Sequence, residues 1–364
     1  MKKVVIASDS FKGSLASCEV ARAVAQGVRS VYPDCRTVCL PIADGGEGTA
    51  DAVEAGLRAR GKCPERVAMQ VCGPLREKVR AEYLLCGGTA VIESASACGL
   101  TLVSPSRRSA ADTTTFGLGE LFLDAERRGA REIIVGLGGS ATCDCGTGML
   151  EAIGVLPEGS NMCGRALEGI SAKDLGGHGL KASYLIACDV VNPLFGPDGA
   201  AYVFAPQKGA GPEEVEMLDR GLRHFAKLAG YDPATPGSGA AGGLGYALMA
   251  FLGARMRSGI DIVLDLCGFA DEIADADLVI TGEGRLDSQT SSGKAPAGVL
   301  ARARAAGVPC IAVCGTCTGS DLPFDSVIVT KKESITLSEA MDPSNAFHNT
   351  AAAVADFLKV ARLG

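Results

Sequence analysis

The chain has 364 residues, 47% of them apolar and 21% charged, with a net charge of −7. That length favours two domains over one, and the composition is that of a soluble protein with ample core. The acidic balance excludes the electrostatic footprint of a nucleic-acid binder, and no apolar stretch is long enough to span a bilayer.

The N-terminal MKKVVIASDS runs straight into a strand with no signal peptide, so a cytoplasmic protein is expected. Residues 4–7 form a continuous apolar run, as in a strand buried on both faces of a parallel sheet. The loop Ser8-Asp-Ser-Phe-Lys-Gly-Ser14 follows, then a helical pattern over 16–31 with Val20, Ala23, Val24, Gly27 and Val28 on one stripe. A strand at 37–42 ends in Ala43-Asp-Gly-Gly-Glu-Gly48 and a helix through Leu57. This βαβα order opens an α/β sheet.

The middle has a different grammar. Residues 67–71 and 78–85 predict a hairpin through Gly73-Pro74, and 90–93 a third strand of an antiparallel meander. A helix at 118–128 leads to a strand at 133–137, followed by strands at 184–188 and 201–204 and a helix at 213–229. Residues 244–256 form the most apolar helix candidate. The alternation then returns, with strands at 278–280, 309–313 and 327–329 and helices at 297–306 and 346–360. The expected fold is two α/β domains. Both chain ends, 1–66 and 270–364, build a Rossmann- or flavodoxin-like parallel-sheet domain, and a mixed-sheet α/β domain, 67–269, is inserted in it.

Fifteen cysteines are scattered, many in apolar runs where a thiol acts as a small hydrophobe. Cys314-Gly-Thr-Cys317 has redox or zinc spacing, but the three histidines have no paired spacing and the following residues read as loop rather than helix. A structural role is expected for it. The 48 glycines are clustered, as at Gly45-Gly46, Gly138-Gly139, Gly242-Gly243 and Gly282-x-Gly284, where backbone must turn or approach something closely.

Polar residues concentrate after the strands, where open α/β sheets bind ligands. Asp9, Ser10, Lys12 and Ser14 follow the first strand, Asp44, Glu47 and Thr49 the second, and Glu283, Arg285, Asp287 and Lys294 the strand at 278. Carboxylates for a metal with lysines and arginine for phosphate are the parts of phosphoryl transfer. The middle domain adds Gly138, Gly139, Ser140, Asp189 with Asn192, and Gln207-Lys208. Lys294 is followed by alanine, so there is no Walker A motif, and Gly282-x-Gly284 lacks the third glycine of a dinucleotide fingerprint. An ATP site of another kind is expected, and an NAD-dependent oxidoreductase is disfavoured.

The segments ASDSFKGS, PIADGGEGTADA, TTTFGLGEL, IIVGLGGSAT, ACDVVNPLFGPDGAAYVFAPQKGA, GAAGGLG and DLVITGEGRLDSQTSSGKAPAGV lie in order over nearly the whole chain. Together they resemble the type I glycerate kinase family. The resemblance implies ATP and Mg2+ as co-substrate and cofactor, D-glycerate as substrate, 2-phosphoglycerate as product, and an active site in the cleft between two α/β domains. A 3-phosphoglycerate product and a non-catalytic regulator with the same fold remain alternatives. The chain departs from the family pattern at Cys143-Asp-Cys-Gly146, where Asn-Asp-Gly-Gly is usual, and at Ser8, where proline is usual. The catalytic candidates are Asp189, Lys12, Lys208 and Asp287. Glu283, Asp287 and Glu47 are the metal candidates, and Asp9, Ser10, Ser14, Asp44, Gly45, Gly46, Gly138, Gly139, Ser140, Asn192, Arg285 and Lys294 are expected to bind substrate or nucleotide. Asp189 leads as general base because it stands beside Asn192 rather than among cations that would depress its basicity.

Overall fold

The structure, a computed structural model, describes residues 1–46, 48–287, 295–318, 322–331 and 336–363. Two compact units divide the chain, one of Met1–Asp44, Asp51–Lys62 and Ile260–Gly364, the other of Gly45–Ala50 and Cys63–Gly259. The strands in chain order are β1 (Lys3–Ser8), β2 (Arg36–Cys39), β3 (Glu65–Cys72), β4 (Lys78–Cys86), β5 (Thr89–Glu93) and β6 (Glu132–Gly136). They continue with β7 (Ser183–Ala187), β8 (Arg255–Arg257), β9 (Leu278–Leu286), β10 (Cys310–Cys317) and β11 (Ser326–Val329).

The unit containing both chain ends holds a five-stranded sheet, ordered β11-β10-β9-β1-β2, in which every pair is parallel. All six residues of β1 are buried, as its unbroken apolar run requires of a central strand. The helix Ser17–Val31 turns Val20, Val24 and Val28 inward, where they join Val4, Ile6, Ile280, Val313, Val354 and Leu358 in one core. Each such side chain contributes about 2 kcal/mol by leaving water. The same helix packs on Pro343–Leu363 through Gly27, where an added Cβ would lie 2.5 Å from the Ala351 carbonyl oxygen. Only glycine admits that approach.

The other unit holds a six-stranded mixed sheet ordered β3-β4-β5-β6-β7-β8. The meander β3-β4-β5 is antiparallel, and β5 through β8 pair in parallel. Its core includes Tyr83, Ile92, Phe122, Val135, Ile186, Phe225 and Tyr246. Phe122 meets Tyr184 edge-on at 5.2 Å between ring centres. No helix among the described residues is long and apolar enough to cross a membrane.

The α/β class, with a parallel sheet from the chain ends and a mixed sheet between them, is as expected. Three local readings need correction. Residues 201–204 belong to the helix Ala200–Phe204 rather than to a strand, since a short apolar run has no periodicity to separate the two. The helix expected at 244–256 stops at Leu252, where Gly253 takes a left-handed conformation (φ 60°) and releases the chain into β8. Finally, β9 runs on to Leu286, so Gly282 and Gly284 do not hinge a loop. A Cβ at Gly282 would stand 2.0 Å from the Val313 carbonyl oxygen, and one at Gly284 would stand 3.3 Å from the Phe11 Cα. These glycines let neighbouring backbone close on the strand.

Candidate active site

In the sheet of the terminal unit the connections run outward in both directions from the β1–β9 pair. The ends of β1 and β9 therefore flank the topological switch point, where ligands of such sheets bind. The two ends are tied together, because the Asp9 amide donates to the Gly282 carbonyl at 2.8 Å. A cavity of about 500 Å³ opens there, within the usual range for a small-molecule site.

The loop after β1 is built around two apolar anchors. Phe11 and Leu15, both buried, pair across a tight turn, with the Phe11 amide donating to the Leu15 carbonyl at 2.8 Å. Gly13 turns the tip in the left-handed region (φ 78°) and leaves Lys12 exposed beside it. Ser8 precedes the loop, and its hydroxyl donates to the Gly282 carbonyl at 3.1 Å, so it adds a tie where proline could not. Asp9, Ser10, Lys12 and Ser14 all line the cavity. The Ser14 hydroxyl is buried without a hydrogen-bond partner among the described residues.

Asp44, after β2, and Glu283, Arg285 and Asp287, from the end of β9, complete the charged wall. Burial pushes the Asp9 carboxyl above its ordinary range, and the Asp44 charge adds to the effect; the Ser10 amide, donating at 2.6 Å, and Lys12 oppose it. Arg285 lies 3.9 Å from Asp287 and is largely exposed. Eight of the expected residues are thus gathered in one cavity. Glu47 and Lys294 lie outside the described residues.

Apart from Lys208, the expected residues of the inserted unit fall just after β6 and β7. Added Cβ atoms at Gly45, Gly136 and Gly138 would lie 2.7 Å from the Ala187 carbonyl oxygen, 2.7 Å from the Gly45 carbonyl oxygen and 2.6 Å from the Gly46 Cα, respectively. Gly45 and Gly46 are accordingly packed backbone to backbone on those strand ends. Gly139 is exposed in the left-handed region (φ 75°). Asp189 is exposed just after β7, and the side-chain amide of Asn192 donates to the Asp198 carbonyl at 2.8 Å.

Lys208 is no surface charge. It is 3% exposed, and its Nζ donates to Ser140 Oγ at 2.9 Å and to the Thr142 carbonyl at 2.7 Å. Burial lowers its pKa, opposed by the surrounding Cys143, Cys98 and Asp144. Two residues on, fully buried Asp144 accepts from the Thr115 amide and hydroxyl, both at 2.8 Å, and from the amides of Gly146 and Gly148, both at 3.1 Å. One buried ammonium and one buried carboxylate therefore fix the segment from Ser140 to Gly148. Cys143 and Cys145 are wholly buried in the core, and Cys145 holds a left-handed backbone (φ 51°) that glycine would take more easily. The departure from the family pattern leaves the bonds of Asp144 in place.

The glycerate kinase family model matches residues 4–361. The chain belongs to the glycerate kinase family. A glycerate 2-kinase of Escherichia coli is 45% identical over 331 residues, covering 87% of this chain and 86% of that protein. A glycerate kinase of Halalkalibacterium halodurans is 44% identical over 331 residues with the same coverage. A crystal structure described as glycerate kinase 2 from Salmonella typhimurium matches with a TM-score of 0.85 and 41% identity, over 100% of this chain and 99% of that one. This family member is an ATP-dependent kinase by descent.

Sequence reasoning missed one side of the cavity. Gly315 and Thr316 on β10, Thr330 and Lys331 after β11, and Leu337, Ala340, Met341, Ala346 and Asn349 from the last two helices also line it. Thr316 sits between the cysteines of the CxxC spacing, and the strand order that brings β10 and β11 to the site was the usable signal. The two lysines give a prediction. Lys12→Ala and Lys208→Ala should each lower kcat/KM about 100-fold, as loss of a site contact or of its support does. Only Lys208→Ala should also lower the urea midpoint of unfolding, because Lys12 is exposed whereas Lys208 satisfies two buried acceptors. Equal stability of the two variants would contradict the internal role of Lys208.

Proposed function

We propose that this kinase transfers the γ-phosphoryl group of ATP to D-glycerate, giving 2-phosphoglycerate, with Mg2+ as the cation. One observation carries the reading: in a glycerate kinase family member, the charged residues of three strand ends line one cavity at the switch point of a parallel sheet. Exposed Lys12 and Arg285 suit phosphate oxygens, and the unsatisfied Ser14 hydroxyl suits a further anionic or hydroxyl partner.

The residues fit a hard cation. No three metal-ligating side chains among the described residues already converge, but Mg2+ is usually held by one or two carboxylates with phosphate oxygens and water completing the shell. Positive charge would be stabilising beside Asp9, whose carboxyl burial and the Asp44 charge push above its ordinary range. Glu283, Asp287 and the undescribed Glu47 are the further candidates. When bound, the cation would supply neutralisation of the phosphate oxygens. Asp189 is the proposed general base for the glycerate hydroxyl, as an exposed carboxylate at the end of a parallel strand. Lys208 serves as a positioning residue that holds Ser140 and Thr142.

A coupled ADP-release assay with D-glycerate, L-glycerate and related hydroxy acids tests the reaction, with phosphorus NMR to identify the ester. ADP formation that requires D-glycerate and a divalent cation, with phosphate on the 2-position, is expected; ATP hydrolysis indifferent to glycerate would refute the reading, and a 3-phosphate ester would refute the regiochemistry.

The carboxylates separate by their metal dependence. Asp189→Asn should cut kcat by about 100-fold or more while leaving the magnesium dependence unchanged. Asp287→Asn should instead shift that dependence to higher magnesium. The reverse pattern would swap the two roles.

A further inference from the structure

The cavity is polarised along the sheet. Its charged residues belong to β9, β1 and β2, whereas the ends of β10 and β11 contribute Thr316 and Thr330, with Lys331 as the charged member there. Strands in a sheet are about 4.8 Å apart, so the ends of β1 and β11 are separated by about 14 Å. An extended nucleoside triphosphate covers that span.

The second observation is an apolar wall. Leu337 and Met341, on the short helix Leu337–Met341, are 59% and 39% exposed, and both face the cavity with buried Ala346. They give the cavity an apolar side next to its charged one, the mixed lining usual in small-molecule sites. The helix is held in place, since Thr336 and Glu339 cap each other at its start and the Asn345 side-chain amide donates to the Glu339 carbonyl at 3.0 Å. The Met341 methyl carbon lies 3.0 Å from where a Cβ on Gly13 would stand, so the apolar wall is continuous with the loop that carries Lys12.

We propose that this end of the cavity is the base subsite for ATP. The purine ring lies against Leu337 and Met341, while the hydroxyls of Thr316 and Thr330 and the carboxamide of Asn349 meet its polar edges. The triphosphate then extends along the strand ends toward Lys12 and Arg285. A flat ring with apolar faces and a hydrogen-bonding rim matches this lining, and a carboxamide can pair in bidentate fashion with the amino group and ring nitrogen of adenine. The assignment rests on the ATP-dependent reading of the site.

Photolabelling of the full chain with a photoreactive azido-ATP and magnesium, followed by peptide mapping, tests it directly. Label displaced by ATP should fall on the segments containing Thr316, Thr330 or residues 337–349. In parallel, Met341→Asp should raise the KM for ATP by about 10-fold or more, a change of about 1.4 kcal/mol, with the KM for D-glycerate within a few-fold of the wild type. Displaceable label confined to other segments, or an unchanged KM for ATP, overturns the subsite. Label elsewhere together with D-glycerate-dependent ADP release leaves the kinase reading standing and removes the subsite. Label on 337–349 without any glycerate-dependent turnover does the opposite.

Discussion

Parallel pairing is the constraint on which the site depends. In an all-parallel sheet every strand ends on the same edge, so whatever follows the strands is gathered there whether or not the residues are neighbours in sequence. Here that edge receives Asp9 from one end of the chain and Glu283 from the other, about 270 residues later. The cost is a carboxylate held partly out of water and, to a lesser extent, near like charge, visible in the raised pKa of Asp9. A cation or a counter-charged ligand bound there would relieve that cost and so link binding to stability.

The inserted unit uses charge in a different way. Lys208 and Asp144 are buried and bonded to the protein's own backbone and hydroxyls, so they work as internal ties for the glycine-rich segment between β6 and the following helix. Such ties are expensive to bury, and each lost partner would leave an unsatisfied polar group. This explains how Cys143 and Cys145 can replace residues of the usual family pattern. Their side chains face the core, and the polar geometry is carried by Asp144 between them.

The fold was legible wherever burial imposes a pattern. The unbroken apolar run of β1 announced a central parallel strand, and the valine stripe of the first helix announced its inner face. The carboxylates of the charged wall, with Lys12 and Arg285, were legible because charges after strands of an open sheet have few structural explanations in common. Short apolar segments were not, as the helix Ala200–Phe204 shows. Glycine was legible as a sign of closeness but not of its kind, since Gly282 and Gly284 serve strand packing rather than a turn. The lining from β10, β11 and the last helices was hidden for a simple reason. Threonine, leucine and methionine carry no chemical signature until the strand order places them beside the charges.

Hydrogen exchange on the full chain, with and without ATP and magnesium, tests the central claim that the nucleotide occupies the cavity of the terminal unit. The account predicts slower exchange in residues 9–15 and 337–349, with the strands β3 and β4 unchanged. Protection absent from both segments and concentrated within residues 63–259 would contradict it.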